Sequence, residues 1–145
     1  MYLVDTNVLS AAAPTKARIE TGLVEWMDRN SDKLFISVIT IAEIEAGIAK
    51  LQDNGSLKKV QRLSEWLEML LHLYQPRVLP LDLQAARELE RTTQAVRQAG
   101  RMHEMADLSI AAIAMVKSYV VLIRNLRSFQ GTGVTALDPF ERLPA

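Results

Sequence analysis

The chain has 145 residues, of which 49% are hydrophobic and 23% charged, and its 17 Lys and Arg balance 17 Asp and Glu. This length predicts one domain, residues 1–145, whose core buries about two thirds of the surface that the unfolded chain exposes. The absence of cysteine excludes disulfides, thiolate catalysis and Cys-ligated zinc. A net charge of zero argues against a histone-like nucleic-acid binder, so any activity on nucleic acids must come from local chemistry.

The sequence predicts a cytoplasmic protein that does not contact membranes. The N-terminus has no basic segment and reaches a carboxylate at Asp5, so it does not resemble a signal peptide. The longest uncharged stretches, residues 6–15 and 128–137, have ten residues each. A helix that crosses a bilayer needs roughly 20. The lack of cysteine is consistent with a reducing compartment.

Two kinds of apolar pattern alternate along the chain, and this alternation predicts an α/β fold. Short, continuous apolar runs predict the strands of a parallel sheet covered on both faces; they are residues 2–4, 34–38, 77–79, 119–123 and 134–137. Longer stretches with helical spacing lie between them at residues 16–29, 39–52, 57–74, 83–98 and 108–117. Pro and Gly residues fall between these segments, as expected for turns.

The predicted helix over residues 57–74 is apolar on most of its circumference. Its polar side chains form only a narrow strip, which consists of Glu65, Glu68 and His72. Such a helix is buried on two sides. One side faces the core, and the other is covered either by neighbouring elements of the same chain or by a second chain.

Polar residues follow three of the predicted strands. In an open parallel sheet the functional crevice lies beyond the carboxyl ends of the strands, so these residues are the candidates for a site. They are Asp5, Thr6 and Asn7 after the first strand, Ser37, Thr40 and Glu43 after the second, and Arg124 and Asn125 after the fourth. A further carboxylate, Asp107, opens the apolar helix at residues 108–117.

The acidic residues among these candidates point to a metal site. Asp5 and Asp107 could each simply cap a helix. Glu43 has only Ala46 and Gly47 one turn along its face, so we expect it to turn into a cavity. Three carboxylates in one crevice repel each other unless a cation lies among them. An all-oxygen ligand set favours Mg²⁺ or Mn²⁺, and such an ion would assist phosphodiester hydrolysis.

Four blocks of the sequence occur in a recognisable order. They are residues 1–10 (MYLVDTNVLS), 36–44 (ISVITIAEI) with Gly47 after them, 107–112 (DLSIAA) and 124–129 (RNLRSF). Together they resemble the PIN domain, specifically the VapC-type toxins of bacterial toxin–antitoxin pairs. Each block alone is weak, but the four follow the family's order and spacing over nearly the whole chain.

The resemblance implies a PIN-like single domain with a roughly five-stranded parallel sheet between helices. It also implies a Mg²⁺- or Mn²⁺-dependent endoribonuclease. By position, Asp5, Glu43 and Asp107 are the catalytic, metal-binding acids, and Thr6 and Asn7 support them by orienting Asp5 and bound water. The family further implies a homodimer and a VapB-type antitoxin. The antitoxin's C-terminal segment crosses the active site and its N-terminal part binds operator DNA.

The chain departs from the family pattern after its fourth predicted strand. Many relatives carry Thr before the Arg-Asn pair and an acidic residue either at position 125 or just before the Phe. This chain has Ile123, Asn125 and Ser128 at those positions. The fourth carboxylate is therefore absent, which leaves one or two metals open and gives Asn125 only a supporting role through its amide oxygen or a water.

Two other functions remain open from the sequence. One is a catalytically weakened PIN-like module that acts by binding. The other is a metal-dependent phosphatase with Asp5 as nucleophile, although Asn7 stands where such enzymes have a second Asp. Arg124 and Arg127 lie beside the end of a central strand. They are therefore the candidate contacts for substrate phosphate.

Overall fold

The computed structural model describes residues 1–18 and 20–145, and its strands form one parallel sheet of order β3-β2-β1-β4-β5. Tyr2 lies opposite Leu34 on one neighbouring strand and Val120 on the other. The predicted α/β fold with five parallel strands is confirmed, and each strand lies within its predicted range. The strands are β1 (Tyr2–Val4), β2 (Leu34–Ser37), β3 (Val78–Leu79), β4 (Val120–Leu122) and β5 (Ala136–Leu137).

Six helices connect or flank these strands in the described part of the chain. They are α1 (Thr6–Leu9), α2 (Thr21–Arg29), α3 (Val38–Asp53), α4 (Leu57–Tyr74), α5 (Leu83–Gln98) and α6 (Met105–Lys117). The predictions for α4 and α5 are correct to the residue, and that for α3 is one residue short at each end. None of the helices in this part of the chain is long and apolar enough to cross a membrane.

Two predicted helix starts are wrong, and one short helix was missed. The helix predicted over residues 16–29 begins only at Thr21, because the face that packs on the core starts at Leu23. Residues 14–18 form turns and bends, and Ile19 lies outside the described residues. The helix predicted from residue 108 begins three residues earlier, at Met105. Helix α1 has four residues, too few to show a period in the sequence.

Two hydrophobic clusters lie on opposite faces of the sheet. Successive strand residues point to opposite faces, so Leu3 joins one cluster and Val4 the other. The Val4 cluster includes buried residues of α1 to α4, and the Leu3 cluster includes buried residues of α5 and α6. The sheet is thus covered on both sides.

One side of α4 stays uncovered in the described part of the chain. Trp66 and Leu70 are buried in the core, whereas Met69 and Leu73 are 51% and 56% exposed. These exposed side chains line an apolar groove of about 460 Å³ between α4 and α2. The sequence left two interpretations open for this side of α4. Coverage by neighbouring elements of the same chain is wrong for the described residues, and coverage by a second chain remains the prediction.

Candidate active site

The site begins where β1 ends, at the centre of the sheet. The Asp5 backbone N–H donates to Leu122 O at 2.9 Å, which joins the end of β1 to the end of β4. The Asp5 side chain caps α1 and accepts a hydrogen bond from the Asn7 backbone N–H at 3.2 Å. Asp5 therefore does cap a helix, and Asn7 contacts it through the backbone N–H, while a supporting role for the Asn7 amide remains a prediction.

Asp5 holds a negative charge in an unfavourable place. The residue is only 4% exposed, and burial raises its pKa from 3.8 to about 6. The hydrogen bond from Asn7 opposes this rise, while the charges of Glu43 and Asp107 add to it. Asp5 therefore carries a charge that the surrounding protein does not neutralise.

Glu43 reaches the same region from α3. The Thr6 hydroxyl donates to Glu43 Oε1 at 2.7 Å and lies 3.3 Å from the Thr40 hydroxyl. Thr40 is fully buried, and its backbone N–H donates to Ser37 Oγ at 3.2 Å, which caps α3. Glu43 lines a cavity together with Thr6, as expected, but the residue remains exposed to solvent. The hydrogen bond from the Thr6 hydroxyl holds its carboxylate.

Asp107 is the third residue of α6, in its first turn and half-buried. It does not cap the helix, because Glu104 occupies that position. Burial raises the pKa of Asp107, as do the charges of Glu104 and Glu43. A hydrogen bond from the Ser128 side chain and the charge of His103 lower it. Ser128 thus contacts Asp107, and it occupies the position where the family pattern implied an acidic residue.

The candidate phosphate contacts lie on the loop after β4. Arg124, Asn125 and Arg127 are all exposed and follow the carboxyl end of the strand that pairs with β1. The Arg124 guanidinium lies 4.5 Å above the centre of the Phe140 ring. The three residues thus follow β4 and are exposed, and their place at the rim of the site and their roles remain predictions.

The residues fit a divalent cation chemically, although they do not form a closed cage. The negative charges of Glu43 and Asp107 both raise the pKa of Asp5, so a positive charge there would relieve the repulsion. Carboxylates are the oxygen ligands that Mg²⁺ and Mn²⁺ prefer. Among residues 1–18 and 20–145, no three acidic, His or Cys side chains are arranged tightly enough to hold an ion as they stand.

The fold and the acidic edge of the sheet define a known class of protein. A family model described as the PIN domain matches residues 2–129. The chain therefore belongs to the PIN-domain family, as the resemblance of its four sequence blocks predicted.

Three relatives match the chain over nearly its full length. It is 35% identical over 143 residues to the plasmid stability protein StbB of Pseudomonas syringae pv. tomato. It is 34% identical to toxin FitB of Neisseria gonorrhoeae and 30% identical to VapC ribonuclease Y4jK of Sinorhizobium fredii, each over 142 residues. Each alignment covers 97% of this chain and 99% of the relative.

Solved structures show the same fold. The crystal structure of FitAcB from Neisseria gonorrhoeae superimposes with a TM-score of 0.84 and 32% identity, covering 97% of this chain and 99% of that one. The structure of FitAB bound to an IR36 DNA fragment also gives a TM-score of 0.84 at 32% identity, and covers 97% and 96% of the two chains.

Proposed function

We propose that this chain is the endoribonuclease toxin of a toxin–antitoxin pair and that its activity depends on Mg²⁺ or Mn²⁺. The observation that carries the proposal is the buried, charged Asp5, whose pKa is raised further by Glu43 and Asp107. The names of two relatives, a VapC ribonuclease and a toxin, support the same class of activity.

The three acids would hold the ion from three directions. Asp5 would bind it from the end of β1, Glu43 from α3 and Asp107 from the first turn of α6. When bound, the ion would polarise the phosphodiester and lower the pKa of a water molecule. Thr6 holds the Glu43 carboxylate through its hydroxyl, and so limits the movement needed to complete the ligand set.

The substrate would be bound by the rim rather than by the whole surface, because the net charge of the chain is zero. Arg124 and Arg127 would contact phosphates beside the scissile bond, since each is exposed at the end of β4. Asn125 would contribute its amide oxygen, directly or through a water. RNA binding should therefore be modest in affinity and sensitive to salt.

The partner would be a VapB-type antitoxin, and the toxin would reach operator DNA only through it. The apolar groove beside Met69 and Leu73 offers an uncovered surface for an apolar helix of that partner. The FitAcB and FitAB structures support a toxin–antitoxin complex of this kind. We also propose a homodimer, which light scattering of the isolated chain would test.

The decisive experiment compares RNA cleavage by the wild type and Asp107→Asn in Mg²⁺. The variant should fold normally and lose cleavage by at least about a hundredfold, because one acid of the ligand set is gone. Asp53→Asn is the matched control, since Asp53 is an exposed carboxylate at the far end of α3. Undiminished cleavage by Asp107→Asn would refute the assigned site.

Two outcomes would favour the alternative functions. Calorimetry that detects no Mg²⁺ or Mn²⁺ binding, in protein that still binds its antitoxin, would indicate a weakened binding module. The neutral side chains of Asn125 and Ser128 are the observation that favours it. Hydrolysis of small phosphate esters with a trapped aspartyl-phosphate at Asp5 would indicate a phosphatase.

A further inference from the structure

A second, smaller groove includes one of the three candidate acids. It has a volume of about 200 Å³, and Thr6 and Glu43 are among the residues that line it. Its other lining residues come from α3, from α4 and from the segment that follows α1. It is distinct from the larger groove beside Met69 and Leu73, which contains neither Thr6 nor Glu43.

The walls of this groove differ in chemistry. Ser10, Thr15 and Lys16 contribute two hydroxyls and an ammonium group to the lining. Apolar side chains, including Ile44 and Leu63, contribute most of the rest. The groove therefore presents hydrogen-bond donors and a cation next to an apolar surface.

We propose that this groove binds the nucleotide that neighbours the scissile phosphate in single-stranded RNA. Lys16 would contact the phosphate, the hydroxyls of Ser10 and Thr15 would contact phosphate or ribose oxygens, and the apolar wall would pack against the ribose and base. A nucleotide complements this lining, because its phosphate is an anion and its base offers an apolar ring face. The inference rests on the proposed function, because it extends the substrate beyond the bond that is cut.

The charges of the groove favour a nucleic acid over a peptide. Its two charged lining residues are Glu43, which belongs to the acid set, and Lys16. The Lys16 ammonium group is thus free to bind an anionic group of the ligand, such as the phosphate next to the one at the acids. The groove is also less than half the volume of the apolar groove beside Met69 and Leu73, which better suits the side of a helix. A peptide in the smaller groove is the alternative that the experiment must separate.

The electrostatic test removes the Lys16 charge. Binding of a short fluorescein-labelled oligouridylate would be measured by anisotropy in an Asp107→Asn background, so that the probe is not cut. Loss of one phosphate contact should reduce the slope of log affinity against log salt by about 0.7 in Lys16→Ala, equivalent to about fivefold weaker binding at 0.1 M salt. Lys58→Ala is the control, because Lys58 is an exposed lysine in the first turn of α4.

The steric test fills the groove at Gly47, which lies one turn after Glu43 on α3 and lines the groove. A Cβ at Gly47 would meet nothing within 4 Å, and Gly is less favourable than Leu in the interior of a helix. Gly47→Leu should therefore fold, with unchanged or higher thermal stability, and bind the oligonucleotide at least fivefold more weakly. Gly22→Leu is the control, because Gly22 on α2 is equally open.

The results separate this inference from the proposed function. Wild-type cleavage together with weaker RNA binding by Lys16→Ala and Gly47→Leu would support the groove as a nucleotide subsite. If the wild type cleaves RNA and both variants bind the oligonucleotide as tightly as their controls, the inference is overturned and the proposed function stands. Unchanged RNA binding with weakened antitoxin binding would also overturn it, in favour of a peptide. Absence of Mg²⁺-dependent cleavage by the wild type would instead contradict the proposed function.

Discussion

Asp5→Asn should make the metal-free protein more stable at pH 7 while abolishing the metal-dependent cleavage that we propose. In the folded chain the pKa of Asp5 is about 6, against 3.8 for the ordinary group. At about 1.4 kcal/mol per pKa unit, keeping this carboxylate ionised costs about 3 kcal/mol. Asn keeps the size of the side chain and is an equally good N-cap for α1. Because a buried amide has its own desolvation cost, we expect a net gain of about 2 kcal/mol.

The pH dependence identifies the cause of this gain. A raised carboxyl pKa means that the folded state binds more protons than the unfolded state between pH 3.8 and about 6. The free energy of unfolding of the wild type therefore falls as pH rises through this window. The free energy of unfolding of Asp5→Asn lacks this decrease. Its excess over the wild-type value should therefore be near zero at pH 4 and reach its full size above pH 7.

Urea denaturation in EDTA measures the difference in free energy of unfolding between Asp5→Asn and the wild type at pH 4 and at pH 7.5. Asp53→Asn is the control. Addition of Mg²⁺ should raise the unfolding midpoint of the wild type and leave that of Asp5→Asn unchanged. An equal gain at both pH values, or a loss of stability at pH 7.5, would refute the assignment of an uncompensated charge to Asp5.

Three further predictions concern the groups around the acids. Thr6→Val should weaken Mn²⁺ binding severalfold by calorimetry, because Glu43 loses its hydrogen bond, whereas Thr6→Ser should retain wild-type affinity. Ser128→Asp should tighten Mn²⁺ binding by adding a carboxylate beside Asp107; unchanged affinity would contradict the contact. Leu73→Glu should weaken antitoxin binding about tenfold while changing the free energy of unfolding by less than about 0.5 kcal/mol, since the side chain is exposed.

The strands were predictable because each is a short apolar run between turn residues, and burial on both sheet faces leaves few alternatives. The start of α2 was not predictable from the sequence. Residues 16–20 are compatible with a helix, but Lys16 and Arg18 are exposed and bury no apolar face. Tertiary packing on the core from Leu23 onward decides where the helix begins.

The candidate site was predictable in outline and not in its contacts. Placing Asp5 at the carboxyl end of β1 requires only the strand and the general geometry of parallel sheets. The hydrogen bond from Thr6 to Glu43 joins residues 37 positions apart, and it depends on how α3 leaves β2. The contact between Ser128 and Asp107 likewise depends on the path of the loop after β4, which residue types alone do not determine.

The pairing of β1 with β4 has a consequence for synthesis of the chain. β1 comprises residues 2–4 and pairs with residues 120–122, so more than a hundred residues must be synthesised between the two sides of the acidic edge. At about 5–20 residues per second, the first strand waits roughly ten seconds for this partner. Asp107 also emerges late in this interval. A nascent polypeptide that has not been extended beyond Asp107 therefore cannot assemble the complete set of candidate acids.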